Sequence, residues 1–269
     1  MRALAIIKTE LWQRRISLIW WSVGVAAMVG IDMSFYATVK NDAAALNQAL
    51  TSLPNTVKAL FAGGADFLTP AGYLSARVYY LLLPLLLTIF TIGVGGNLIG
   101  KEERQGTLEF LLARPVSRLK LLLSKATAGG IAIGILGFVA LVTGLICLRP
   151  SGFDTMSLKI IVLVTVNAVA LSVVFGMIAF CLSALGGRFR GMATPVAALV
   201  AFGSYLLSSL ETMASWLVWP ARLLPYHYYN PNAILNGTSY GFKPLLGFVC
   251  AIIALLVAAW IGFRRRDIG

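Results

Sequence analysis

The chain has 269 residues, of which 59% are hydrophobic and 12% are charged. Soluble domains contain about 45–50% apolar and about 25% charged residues, so a globular core in a chain of this length could not bury so much apolar surface. The mean hydropathy of +0.85 agrees and excludes a soluble enzyme, a disordered chain and a secreted disulfide-rich protein. The composition predicts an all-α integral membrane protein, with residues 1–269 forming a single transmembrane domain.

The net charge of +12 would by itself suit a nucleic-acid-binding protein. The basic residues instead lie beside apolar runs, as they do in membrane proteins that contact anionic lipid. We therefore expect the lipid bilayer, and no nucleic acid, to be the surface that these charges meet. The three cysteines stand alone within apolar runs and have no metal-ligand spacing.

Six apolar stretches are long enough to span a membrane, since about 20 residues of helix cross ~30 Å of hydrocarbon. Six spans place both termini on one side of the membrane. Fifteen of the 22 lysines and arginines fall on that side, which predicts a cell inner (cytoplasmic) membrane protein with both termini in the cytoplasm. The predicted spans are approximately 16–36, 78–100, 126–148, 158–185, 192–211 and 245–263.

Residues 1–15 have the pattern of an amphipathic helix. Leu4, Ile7, Leu11 and Trp12 recur at the spacing of one helical face. This pattern predicts an interfacial helix lying on the membrane before the first span. The alternative is a frayed cytoplasmic tail.

Groups that could support enzymatic chemistry are scarce. His227 is the only histidine, which eliminates multi-histidine metal centres. Residues 95–101 fit the first seven positions of a phosphate-binding loop, but Glu102 stands where that loop needs a serine or threonine. We therefore expect no catalytic site, no metal and no cofactor on this chain. Asp32 and Glu211 are the acidic residues within spans, and each is either functional or simply solvated near a helix end.

The segment between the second and third spans has a distinctive pattern. Gly106 permits a turn, and Thr107 can cap a short helix that places Leu108, Leu111 and Leu112 on one face. Pro115 ends that helix. The result is a two-turn cytoplasmic helix with apolar side chains exposed. Such a patch either docks onto another protein or packs back onto the chain's own helices or the lipid surface.

The sequence G-T-L-E-F-L-L-A-R-P-V-S-R at 106–118 resembles the membrane subunit of ABC-2-type ATP-binding-cassette transporters. The resemblance implies that this short helix is the coupling helix, which sits in a cleft of a separate nucleotide-binding subunit that carries ATP and magnesium. It also implies either a second copy of the permease or a paralogous one. The implied ATPase-coupling residues are Glu102, Glu103, Gly106, Thr107, Leu108, Glu109, Leu111, Leu112 and Pro115.

Other segments resemble the same family. Residues 1–15 are similar to its connecting helix, and residues 224–231 are similar to its outer hairpin before the last span. The aromatic residues of 212–243 fit either a re-entrant hairpin in the outer leaflet or an ordinary aromatic belt. The candidate pathway or gate residues are Asp32, Asn167, Glu211, Tyr226 and Tyr229.

Together these features predict the permease subunit of an ATP-binding-cassette exporter for an amphipathic drug, antibiotic, peptide or lipid. One alternative is an ATP-independent secondary transporter or channel with Asp32 as its coupling carboxylate. Another is a membrane anchor that recruits an ATPase without transporting anything.

Overall fold

The computed structural model describes residues 3–41, 52, 54–62, 69–106, 117–154, 156–186, 191–211 and 213–265. These ranges are helical and contain no strand, so the predicted all-α fold is confirmed. The predicted six transmembrane helices are also found as six stretches long and apolar enough to cross a membrane. They are Ala3–Thr38, Pro70–Glu102, Arg118–Leu148, Leu158–Leu185, Ala193–Leu210 and Phe242–Arg264.

The first helix, α1 (Ala3–Asn41), has 39 residues. At 1.5 Å per residue it is about 58 Å long, nearly twice the ~30 Å of a hydrocarbon core. No proline or glycine interrupts residues 3–23, so nothing ends the helix before the apolar run begins. Residues 3–15 and the first span are therefore one continuous helix, and the interfacial position of residues 1–15 remains a prediction.

The second membrane stretch is built from several pieces. Its first turn is capped by Thr69, whose hydroxyl accepts a hydrogen bond from the Gly72 N–H at 3.1 Å. A π-helical segment follows and gives way to a regular α-helix at Leu83, one residue before Pro84. The elements from the first loop onward are α2 (Asn55–Ala62), α3 (Pro70–Leu74), the π-segment (Ser75–Leu82) and α4 (Leu83–Arg104).

Four further membrane helices complete the bundle, and a run of short helices precedes the last of them. The long helices are α5 (Arg118–Leu148), α6 (Leu158–Leu185), α7 (Ala193–Leu210) and α10 (Phe242–Arg264). The short ones are the 3₁₀ turn Ser215–Leu217, α8 (Val218–Arg222), the 3₁₀ turn Pro225–Tyr228 and α9 (Pro231–Leu235). The re-entrant character of this segment of short helices remains a prediction.

The pair α4 and α6 forms the closest packed contact of the bundle. A Cβ added at Gly95 would lie 2.1 Å from the Gly176 carbonyl oxygen, so only glycine permits this approach. Hydroxyl groups bond across the same interface: Thr91 Oγ1 donates to the Ser172 carbonyl at 2.7 Å, and Ser183 Oγ donates to the Gly96 carbonyl at 3.2 Å. Small residues and interhelical hydrogen bonds are the forces that associate helices in lipid.

The glycines of α5 divide between two faces. Gly137 packs against Val169 of α6, and Gly144 lies near Tyr79 and Ile161, so these two serve close helix packing. Gly130 and Gly134 are exposed, with open space where a Cβ would stand. These two glycines therefore take no part in packing within the bundle.

We expect Gly95→Val to destabilise the protein by several kcal/mol, because the added side chain meets backbone atoms that cannot rotate away. The matched control is Gly93→Val two residues earlier, where nothing lies within 4 Å of an added Cβ. The measurement is the thermal midpoint of the purified protein in detergent, followed by tryptophan fluorescence. Equal midpoints for the two variants would contradict the packing assigned to α4 and α6.

Candidate functional site

A buried group of charges lies at the end of the bundle where α4 leaves the membrane. The Lys125 ammonium lies 2.6 Å from Glu10 Oε1 and 2.5 Å from Glu102 Oε1. The Lys125 side chain is only 2% exposed, and the two glutamates are 12% and 18% exposed. We call Glu10, Glu102 and Lys125 the inner ionic cluster.

Each member of the inner ionic cluster comes from a different helix. Glu10 stands two turns into α1, Glu102 in the last turn of α4, and Lys125 two turns into α5. Arg14 lies 3.6 Å from the second carboxylate oxygen of Glu10, so two cations face two carboxylates. Buried charges are tolerated only when they are paired in this way, and the pairing fixes the three helices to one another.

The inner ionic cluster also marks both ends of the predicted coupling segment, residues 101–125, since Glu102 stands at its start and Lys125 at its end. Gly106 adopts a left-handed turn with φ +65°, as predicted. Ser117 caps α5, its hydroxyl accepting a hydrogen bond from the Lys120 N–H at 3.3 Å. The predicted coupling residues Thr107, Leu108, Glu109, Leu111, Leu112 and Pro115 lie outside the described residues, as does the side chain of Glu103.

The sequence pointed to only one member of the cluster, Glu102. Glu10 lies on the polar side of the amphipathic N-terminal pattern, where solvation is the ordinary expectation. Lys125 stands between apolar runs and was counted only as a charge that sets orientation. A lysine flanked by leucines and alanines was the available signal, but its partners are 115 and 23 residues away in the chain.

A second buried ion pair lies between α1 and the π-segment. Asp32 Oδ1 is 2.6 Å from the Arg77 guanidinium, and the aspartate side chain is 8% exposed whereas the arginine side chain is 48% exposed. The Tyr73 hydroxyl donates to the Asp32 backbone carbonyl at 2.8 Å. The predicted pathway residue Asp32 therefore has an intramolecular cation and helps to hold α1 against the second membrane stretch.

The π-segment presents two backbone carbonyls that cannot be satisfied in the usual way. Pro84 has no N–H, so it cannot donate to the Tyr80 carbonyl four residues earlier. The Leu83 N–H, which would serve the Tyr79 carbonyl in an α-helix, donates to the Val78 carbonyl instead. The Tyr226 hydroxyl donates to the Tyr80 carbonyl. The Tyr229 hydroxyl donates to the Tyr79 carbonyl at 2.7 Å. Two side chains from the segment before the last span thus supply donors for backbone carbonyls of the second membrane stretch.

Burial raises the pKa of Tyr226 and of Tyr229 well above their usual value of 10. Both hydroxyls therefore keep their protons and act as donors. Tyr226 is further held by its backbone N–H, which donates to Ser204 Oγ of α7 at 3.0 Å. Its ring also packs edge-on against Tyr80 and Tyr205, at centroid distances of 6.0 and 5.4 Å.

The aromatic residues before the last span therefore fall into two groups. Tyr226 and Tyr229 are buried in the bundle. The others project outward and are 52–73% exposed: Trp216, Trp219, Tyr228 and Tyr240. The sequence treated them as one set, because an aromatic residue that faces lipid and one that bonds a carbonyl cannot be told apart by residue type.

The remaining predicted pathway residues occupy the same end of the bundle. Glu211 Oε2 lies 2.6 Å from His227 Nδ1, and both side chains are partly buried. Asn167 donates to the Leu163 carbonyl at 2.9 Å within its own helix, and its side chain lies against Gly241 at the start of α10. Glu211, Tyr226 and Tyr229 thus lie close together on neighbouring elements. No group of three metal-ligating side chains occurs among the described residues.

Comparison with protein families identifies the family of this chain. The sequence model of a family described as "ABC-2 family transporter protein" matches residues 4–268, which is almost the whole chain. No curated protein matches the chain. The matched range contains all three helices of the inner ionic cluster and the segment that they enclose.

We expect Lys125→Met to destabilise the protein by about 3 kcal/mol or more, because it removes the buried cation that lies between two largely buried carboxylates. The matched control is Lys120→Met on the same helix, where the lysine is exposed and should matter little. The double variant Lys125→Met with Glu102→Gln removes one charge of each sign and should recover much of the loss. Thermal midpoints in detergent measure all three, and an unchanged midpoint for Lys125→Met would refute the assignment.

We expect Tyr226→Phe to cost about 1–3 kcal/mol, because it leaves the Tyr80 carbonyl buried without its donor. The control is Tyr228→Phe, which removes a hydroxyl that bonds the Arg222 carbonyl at an exposed position. Denaturation of the purified protein in detergent, followed by tryptophan fluorescence, gives the comparison. Similar stabilities for the two variants would show that the Tyr80 carbonyl finds another donor.

Proposed function

Because this chain belongs to the ABC-2 family of transporters, whose members are membrane transport components, we propose that it is the permease subunit of an ATP-binding-cassette exporter. It moves an amphipathic substrate across the cytoplasmic membrane. A separate nucleotide-binding subunit holds ATP and magnesium and hydrolyses the ATP. The working unit contains two permeases, either two copies of this chain or this chain with a paralogue.

The inner ionic cluster is the observation that supports this proposal most directly. A permease that is driven from outside needs a rigid route from the coupling segment into the membrane helices. Glu102 and Lys125 join the two ends of that segment through a contact of 2.5 Å. Glu10 extends the connection to α1 at 2.6 Å, so displacement of the segment moves three helices as one unit.

The mechanism follows from this connection. Closure of two ATPase subunits on nucleotide pushes the 106–113 segment of each permease. The push is transmitted to α4 and α5 at the two ends of the segment and, through Lys125, to α1. The free energy comes from the difference in ATPase contact between its two states, and the opposed bundles rearrange a shared pathway between inward and outward forms.

The tyrosine contacts support a role for the other end of the bundle in releasing substrate. Tyr226 and Tyr229 donate hydrogen bonds to the backbone carbonyls of Tyr80 and Tyr79 just before α4, so movement of α4 changes the position of the segment before α10. In this proposal that segment is the outer gate, with Glu211 and Asn167 beside it. The exposed tryptophans of the same region would lie in the outer membrane interface.

The proposed orientation of the chain in the membrane is inferred from the distribution of its lysines and arginines. Most lysines and arginines fall at the end of the bundle that holds the termini and the coupling segment, and positive residues accumulate on the cytoplasmic side. Both termini are therefore proposed to be cytoplasmic. The Asp32–Arg77 pair then lies near the outer surface, where it supports a structural role for Asp32 over that of a proton-coupling carboxylate.

We expect Leu108→Asp and Glu109→Arg to abolish docking of the nucleotide-binding subunit while leaving the chain in the membrane. The control is Leu158→Asp, an exposed leucine at the proposed outer end of α6 that is 59% exposed. The measurements are co-purification of an ATPase from native membranes and ATP hydrolysis by the reconstituted complex, each expected to fall more than tenfold.

Two outcomes would contradict the proposal. Undiminished ATPase recovery and hydrolysis in both coupling variants would refute the docking role of the segment. Movement of a solute down an ion gradient by the chain alone, in vesicles without any ATPase, would favour the secondary transporter instead.

A further inference from the structure

An apolar crevice opens on the side of the bundle between α5 and α10. Its volume is about 250 Å³, and it extends inward to α4 and α6. Its rim is formed by Leu123 and Gly130 of α5 and by Ile252 and Leu256 of α10, and its floor includes Gly176 and Phe180 of α6. We call this space the inner crevice.

The inner crevice exists because small residues meet where two helices diverge. Gly95 and Gly176 hold α4 and α6 so close that no side chain fits between them. Because glycine has no side chain, neither residue fills the adjacent inner crevice, which both of them line. The helices α5 and α10 come together at one end, where Arg118 donates to the Phe263 and Arg264 carbonyls at 3.5 and 3.3 Å. The rim residues Leu123 and Gly130 are exposed on the outer surface of the bundle.

The lining of the inner crevice is suited only to hydrocarbon. Its two threonine hydroxyls are already used, since Thr91 donates to the Ser172 carbonyl and Thr127 to the Leu123 carbonyl at 2.8 Å. The remaining lining side chains are apolar. A volume of about 250 Å³ is less than a drug-sized ligand needs, but it fits part of one acyl chain.

Basic residues occur at the end of the same two helices. Lys120 of α5 and Arg264 and Arg265 at the end of α10 are exposed. Lys120 is two residues from Arg118 in the chain, and Arg118 donates to the Arg264 carbonyl at 3.3 Å. Gly130 is ten residues along α5 from Lys120, and Leu256 is eight residues along α10 from Arg264. These separations correspond to about 15 and 12 Å of helix, close to half of the ~30 Å hydrocarbon thickness.

We infer that the inner crevice and these basic residues form one binding site for an anionic phospholipid. One acyl chain occupies the crevice, and the phosphate lies on Lys120, Arg264 and Arg265. Basic pockets between membrane helices recognise lipid headgroups in this manner. The site faces the surrounding bilayer and does not depend on transport or on the ATPase.

The test compares two lipids with identical chains, dioleoyl phosphatidylglycerol and dioleoyl phosphatidylcholine. The purified full chain is titrated with each lipid in detergent, and bound lipids are counted by native mass spectrometry. The wild-type chain is expected to retain phosphatidylglycerol more strongly. Each basic residue near a membrane surface contributes about fivefold in affinity, so Arg264→Gln with Arg265→Gln should reduce the preference more than tenfold. The control, Lys159→Gln with Lys243→Gln, removes two exposed charges from the opposite end of the bundle and should leave it unchanged.

The crevice is tested separately by Gly130→Leu, which fills it from the rim. The matched control is Gly134→Leu, one turn along the same exposed face and outside the crevice, with equally open space. Gly130→Leu should reduce binding of both lipids while Gly134→Leu leaves it intact. Equal binding by these two variants, or an unchanged phosphatidylglycerol preference without Arg264 and Arg265, would overturn the assignment.

Discussion

Hydrocarbon offers no hydrogen bonds, so every backbone N–H and C=O inside a bilayer must find its partner within the protein. This constraint explains why the described membrane segments are helical throughout. It also explains the contacts around Pro84. The missing N–H of Pro84 and the change from π-helical to α-helical hydrogen bonding at Leu83 leave two carbonyls that a helix in water could leave to solvent. Tyr226 and Tyr229 supply the missing donors, and by doing so they attach the segment before the last helix to the second membrane stretch.

The same low dielectric governs the charges. A lysine 2% exposed cannot stand alone at the end of a membrane bundle, and Lys125 is stabilised by two carboxylates from two other helices. The resulting connection joins α1, α4 and α5 at the base of the coupling segment. In the proposed mechanism, this interaction also provides the rigid link that an externally driven transporter needs.

Close helix approach and open space are related in this bundle. Gly95 and Gly176 bring α4 and α6 into backbone contact, and the absence of side chains there leaves the neighbouring inner crevice unfilled. The exposed glycine Gly130 widens its mouth. Packing that stabilises one interface therefore creates a hydrocarbon-lined space at the next, beside the basic end of α5 and α10.

The sequence by itself determined the membrane class, the six spans, the turn at Gly106 and the family resemblance. These features are set by composition, length and local patterns of neighbouring residues, which the chain carries whatever its neighbours in space. Only the tertiary structure showed that α1 continues without a break into its span, and that Glu10 and Asp32 face cations rather than solvent. It alone separated Tyr226 and Tyr229 from the exposed aromatics around them. The physical reason is that the ion pairs and the tyrosine contacts depend on partners far away in the chain. Residue type and spacing do not specify which helix faces pack against one another and which face lipid.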